Sequence, residues 1–138
     1  MVKATKGTEA GVFPENAEKL FDAMAVYHDE LVKAGVLLDA SGLQPSSAGW
    51  KVKYTGDKRA VVDGPFTEAK EMIAGYTLIQ TKTREEALEW TRRFPKPHFD
   101  HECEIEVRQL YELEDFATID SAKGAISKFH DIEAQQKK

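Results

Sequence analysis

His28 is the side chain best placed for proton chemistry. It lies four residues after Met24 and three before Leu31, so helical spacing sets it on the same stripe as those apolar residues. Imidazoles exchange protons near neutral pH. His28 therefore reads either as an acid or base facing a pocket or as a core-margin histidine bonded to backbone. A second group of chemical residues follows Asp63, in Asp63-Gly64-Pro65-Phe66 with Glu68, Lys70 and Glu71 close behind. Carboxylates beside a lysine can share a proton, and Lys70 could instead orient an anion. The plainer reading has Asp63 bonding the amides of its own turn. Gly64 then supplies backbone freedom and Pro65 rigidity, and the charges beyond form a solvated ion pair of little energetic weight. Gln44-Pro45-Ser46 ends an expected strand and meets the Asp63 loop if both line one pocket mouth. Gln44 can both donate and accept there, although a plain turn explains the same residues.

The catalytic candidates are thus His28 and Asp63. The ligand-binding candidates are Gln44, Pro45, Ser46, Gly64, Pro65, Phe66, Glu68, Lys70 and Glu71. His98 and His101 stand three apart in a run that also holds Asp100, Glu102, Cys103 and Glu104. That spacing suits a metal on a helix, but Pro95 and Pro97 favour a loop, and no second ligand pair of characteristic spacing exists. No metal and no cofactor are assigned. Glycine-rich phosphate loops, a serine elbow and paired CxxC motifs are all absent.

These residues need elements to hold them. Pro14 suits a first helical turn. Leu20, Met24, Tyr27 and Leu31, with Phe21 beside them, share a helical face over Pro14–Ala34, and Gly35 can end that helix in the left-handed conformation. Gly7–Phe13 reads as a loop after a short strand at Val2–Lys6. Val36–Leu43 reads as a strand interrupted by Gly42. Trp50–Tyr54 alternates apolar and charged residues, Gly56-Asp57 makes a hairpin turn, and Arg59–Val62 returns. Phe66–Glu71 reads as a loop or single helical turn, and Ile73–Thr81 as a strand. Thr83 and Glu86 have capping-box spacing before a helix that turns Ala87, Leu88, Thr91 and Phe94 inward, until Pro95 stops it. Alternation from Cys103 to Leu113 predicts a long strand. Asp120 or Ser121 would cap a last helix bearing Ala122, Ile126 and Phe129. Trp50 and Trp90 are expected as interface and core aromatics, and Cys103 as an inert residue of the sheet interior.

The order is that of a split βαβ, ferredoxin-like α+β fold with an inserted hairpin. Helices would cover one face of its antiparallel sheet. Because β-strand residues are apolar on both sides in places (Tyr76 and Leu78 against Ile79), a second copy of the chain is the expected cover for the other face. Residues 1–113 form the expected domain and 114–138 a helical extension. At 138 residues with 41% hydrophobic content the chain can build its own core. A net charge of −5 argues against nucleic acid as partner. No segment approaches the about 20 apolar residues of a membrane span, and neither a signal peptide nor a disulfide partner for Cys103 is present, so a reducing cytoplasm is the expected location.

Gly42-Leu43-Gln44-Pro45-Ser46 and Asp63-Gly64-Pro65-Phe66-Thr67-Glu68-Ala69-Lys70-Glu71, followed by Ile73-Ala74-Gly75-Tyr76, resemble the YCII-related, DGPF-motif family. Leu31–Leu37 and Glu86–Trp90 fit the same pattern. The resemblance implies a dimeric α+β barrel, two ferredoxin-like subunits packed sheet against sheet with a pocket between sheet and helices. Similar domains are sometimes encoded beside alternative sigma factors, which implies sigma-factor-linked regulation. Smaller relatives carry a His–Asp pair. Their histidine falls near Met24, one helical turn before His28, so the pair is not carried over. The segment after Leu113 is an extension that many members lack, and the first strand is shorter than theirs. Three functions fit: a sensor or accessory homodimer binding a small molecule, a cofactor-free acid–base enzyme (isomerase, dehalogenase or monooxygenase-like) acting on a small polar or aromatic molecule, and a purely structural or interaction dimer.

Overall fold

The computed structural model describes residues 1–97 and 102–137. His98 and His101, the candidate metal pair, lie outside them. The chain divides into two compact units, Met1–Val107 and Arg108–Lys138.

The first unit opens with β1 (Val2–Lys3) and the single-turn helix α1 (Lys6–Glu9). The sequence reading made this turn a loop, because four residues carry no apolar periodicity. A local cap makes it instead: Thr5 Oγ1 accepts from the amide of Thr8, and Thr8 Oγ1 accepts from the amide of Thr5. Helix α2 (Ala17–Lys33) follows, ended by Gly35 at φ 71° as its position predicted. Then come β2 (Leu37–Gly42), the hairpin of β3 (Trp50–Thr55) and β4 (Lys58–Asp63), β5 (Ile73–Ile79) and α3 (Arg84–Arg92). Short 3-10 turns occupy Ser46–Ala48 and Ala69–Glu71.

The fold is α+β. Central strand β5 pairs antiparallel with β1 on one side and β2 on the other, while β3 and β4 form a separate two-stranded sheet. Beyond β1, Ile105 bridges Val2, and the amides of Lys3 and Glu106 bond the carbonyls of Glu104 and Met1 at 3.1 and 2.8 Å. The long strand expected over Cys103–Leu113 is not formed. β1 is two residues long and offers paired backbone only near Met1–Lys3. Alternation gives residues 103–113 the pattern of a strand, but a ladder also needs a partner along its length. Val107, Leu110 and Tyr111 are accordingly exposed, and Cys103 is half-buried.

The core lies where α2 meets the end of β5. Tyr27, Leu31 and Val36 are buried, with Leu37, Ile79, Trp90 and Phe94 packed against them. Tyr27 donates its hydroxyl to the carbonyl of Trp90 at 2.9 Å, which ties α2 to α3, and its ring meets those of Trp90 and Phe94 edge-on. Burial pushes its phenol pKa up from the usual value. Ala87, Trp90 and Thr91 on α3 and Phe94 just beyond it are half-buried, but Leu88 turns outward, a correction to the expected inward set. Thr83 caps the helix by accepting from the amide of Glu86 at 3.1 Å. The return bond runs to the amide of Lys82, not of Thr83, so the box is offset by one residue.

In the second unit a 3-10 turn at Leu113–Phe116 stacks Tyr111 near Phe116, and α4 (Lys123–Gln136) forms the expected last helix. Neither Asp120 nor Ser121 caps it. Both lie in a preceding 3-10 turn, Ala122 takes the cap position without a side-chain bond, and Asp120 instead pairs with Lys123 at 2.7 Å. Phe129 is 54% exposed. Among the described residues, no helix is long and apolar enough to cross a membrane.

Candidate functional site

A cavity of about 800 Å³ opens in the first unit between the N-terminal half of α2, α1 and the segment after it, the end of β2, and β5. Helical spacing builds one wall: Ala17, Leu20, Phe21, Met24 and His28 recur on one face of α2. The apolar stripe read from the sequence thus has two fates. Tyr27 and Leu31 go into the core, whereas Leu20 and Met24 line the cavity. Phe13 packs edge-on against Phe21, with ring centres 5.9 Å apart, at the rim. The opposite wall is sheet: Ala40 to Leu43 from β2 and its exit, and Ala74 to Thr77 from β5. Strands β2 and β5 come close here, and a side chain at Gly75 would put its Cβ 2.9 Å from the carbonyl oxygen of Ser41.

His28 is a cavity-lining residue, as its spacing suggested. Its Nδ1 lies 2.7 Å from the carbonyl of Met24, and its Nε2 lies 3.0 Å from Thr77 Oγ1. A carbonyl only accepts, so Nδ1 carries the proton. In the neutral ring Nε2 is then an acceptor, and the Thr77 hydroxyl donates to it. His28 thus bonds backbone, as the core-margin reading expected, and it also lines the cavity.

Of the other candidates, Gln44 and Pro45 line the cavity, whereas Asp63, Gly64, Pro65, Phe66, Glu68, Lys70 and Glu71 do not. Asp63 is the exposed last residue of β4, where it pairs across the hairpin with Trp50. His28 and Asp63 are not brought to one cavity. The DGPF turn instead docks on the loop after β2. The amide of Gly64 donates to the carbonyl of Gly49 at 2.9 Å, and that of Phe66 to Ser46 Oγ at 2.9 Å. A Cβ on Gly64 would fall 1.8 Å from the carbonyl oxygen of Ser46, so only glycine permits this approach. Lys51 sits 4.2 Å above the ring of Phe66. The Gly64–Pro65 bond is cis. Lys70 and Glu71 belong to the 3-10 turn before β5, Glu68 stands at its N-cap position, and all three are exposed.

Ser46 holds this assembly together. Its hydroxyl accepts from Phe66 and donates to the carboxylate of Glu9, which also accepts from the Ser46 amide at 3.2 Å. The sequence reading had joined the Gln44-Pro45-Ser46 and DGPF segments but passed over Glu9. No local pattern marks it: the bond spans 37 residues, and α1 itself was unforeseen. Thr77 was likewise missed as a site residue, although its place opposite α2 follows from β-strand alternation once β5 is centred under that helix.

No group of three or more metal-capable side chains occurs among the described residues. The walls are mainly apolar; the polar residues among those lining them include Thr5, Thr8, Gln44, Tyr76, Thr77 and His28, with Glu15 the one carboxylate among the described lining residues. Such an arrangement suits non-covalent binding of an apolar molecule held in orientation by a few hydrogen bonds.

The model of the YCII-related domain matches residues 1–113. This chain belongs to the YCII-related family. The match covers all of the cavity and both loops that join at Ser46. A curated relative, an uncharacterized protein of Rhizobium meliloti (strain 1021), is 31% identical over 78 residues, 56% of this chain. The matched stretch spans 63% of that relative's length.

Proposed function

We propose that this YCII-related protein binds a small, largely apolar molecule without turning it over, as a sensor or accessory protein. The observation that carries the reading is the cavity, whose volume suits a drug-sized molecule and whose lining offers few titratable groups. An acid–base enzyme built on His28 and Asp63 has no comparable support, since only one of the two reaches the cavity.

The working form in this reading is a homodimer of ferredoxin-like subunits. The sequence of neighbours across the sheet, Ile105 beside β1, then β5, then β2, supports the ferredoxin-like order. The hairpin supplies the reason for a second copy. Trp50, Val52, Tyr54 and Val61 share one face by alternation and register, and all are exposed. The hairpin carries Lys51, Lys53, Lys58 and Arg59 against Asp57 and Asp63, whereas the chain as a whole is at −5. A basic apolar arm on an acidic chain complements another copy better than it complements a basic partner.

The test uses N-phenyl-1-naphthylamine, a neutral dye that brightens in apolar sites. The wild type is expected to enhance its fluorescence saturably, and Met24→Trp, which fills the cavity from α2, to abolish that while keeping the wild-type circular dichroism. Equal enhancement by both would remove the cavity as the site. Light scattering at micromolar concentration should give twice the chain mass, and a stable monomer would end the dimer reading.

A further inference from the structure

We infer that the cavity selects neutral molecules that donate a hydrogen bond, such as aromatic alcohols or amines, and rejects carboxylates and phosphates. The inference rests on the cavity being a ligand site, and adds the chemical class of its ligand.

Two independent observations lead there. The first is the direction of the hydrogen-bond chain at the cavity wall. Met24 O can only accept, so it fixes the proton on His28 Nδ1 at 2.7 Å. In the neutral ring Nε2 is then an acceptor, and it takes the Thr77 hydroxyl proton at 3.0 Å. With its only proton committed, Thr77 Oγ1 turns lone pairs outward. Thr77 and His28 both line the cavity, so the polar point they present to a ligand is an acceptor. An O–H or N–H on the ligand would extend the chain at its open end, and each bond in such a chain polarises the next.

The second observation is charge. No lysine or arginine is among the described residues lining the cavity, and Glu15 adds a carboxylate there. An anion entering would lose hydration with no cation to replace it, and burying an unpaired charge is costly. Lys70, the cation that sequence reasoning offered for an anionic ligand, lies exposed in the turn before β5 and does not line the cavity.

A matched set of ligands on one ring system separates the terms: 2-naphthol, 2-methoxynaphthalene, naphthalene and 2-naphthoate, at pH 7, titrated calorimetrically into wild type and Thr77→Val. Valine keeps the shape of threonine and removes the hydroxyl. In the wild type, 2-naphthol should bind about three- to tenfold more tightly than 2-methoxynaphthalene, the ratio of one net hydrogen bond. The naphthoate should bind more weakly than naphthalene. In Thr77→Val the advantage of naphthol over its methyl ether should vanish while naphthalene binding is retained. Naphthoate matching or exceeding naphthol, or naphthol and its ether binding equally to wild type, would overturn this inference and leave the cavity as a binding site. Failure of all four to bind would overturn the binding-site reading itself.

Discussion

Two antiparallel strand pairs in the first unit are assembled in the same way and meet different environments. β2 and β5 pair between Leu37–Gly42 and residues 75–79, and β3 and β4 over Trp50–Thr55 and Lys58–Asp63, the latter in unbroken register. The β2–β5 pair lies under α2, and next to it Leu31 is completely buried. Every residue of the β3–β4 pair is exposed, with Trp50, Tyr54 and Val61 each near two-thirds of full exposure. Backbone pairing alone therefore fixes no core. A ladder satisfies polar groups, and stability comes from what is laid on its face. An isolated hairpin is marginal in water, so β3–β4 leans on its attachments: the amide of Gly64 on Gly49, and Lys51 over Phe66.

The comparison is broken most severely at Leu31. Leu31→Ala should lower stability by about 2–5 kcal/mol, the usual range for a buried leucine, read as a fall in the urea midpoint. A loss below 1 kcal/mol would mean that the α2–sheet contact is not the core of this unit. Next in size is Gly64→Ala. Its Cβ would strike the backbone of Ser46, an obstacle that cannot rotate away. We expect a loss of about 1–3 kcal/mol, as for overpacking, together with altered chemical shifts across Ser46–Gly49.

Tyr27→Phe removes one hydrogen bond between α2 and α3, worth about 0.5–1.5 kcal/mol. It also tests pH dependence. The folded protein holds this phenol above its ordinary value of 10.0 through burial, so the unfolded chain ionises first. Stability from this group is complete below pH 10 and is lost as pH rises through 10 toward the raised folded value. The wild type should therefore lose more stability than Tyr27→Phe between pH 9.5 and 11. The smallest effect is expected at Trp50. In a monomer, Trp50→Ala should change stability by no more than about 0.5 kcal/mol. If the hairpin face is covered by a second copy, the same variant should dissociate the dimer, and light scattering over a dilution series distinguishes the two cases.

The same contrast explains what could be read in advance. Helix α2, its Gly35 stop, the hairpin around Gly56, the Thr83 cap and β5 are written in neighbouring residues and formed close to the expected positions, although α2 starts at Ala17 and leaves Pro14 outside its first turn. Features that depend on distant partners were misread or missed. Residues 103–113 alternate apolar and polar but for Gln109 and Leu110, and have too little strand to pair with. Leu88 sits within an amphipathic helix but faces outward. Asp63 stands in the most recognisable motif of the chain, yet the motif serves to seat a turn against Ser46 and not to deliver a carboxylate to the cavity. His28 was legible because its neighbours at helical spacing lie on the same wall.

The Ser46 hydroxyl receives from a residue 20 positions ahead and gives to one 37 positions behind. Such a junction can close only after the chain on both sides has settled, and loop-closure entropy makes it among the last contacts to form. By the same logic it is among the first to open in the native state, without global unfolding. Gln44 and Pro45, adjoining it, form part of the cavity wall. The amide of Phe66 is thus a timer for the cavity mouth: its exchange with deuterium should be faster than that of the β5 amides, and should slow when a ligand holds the loop closed.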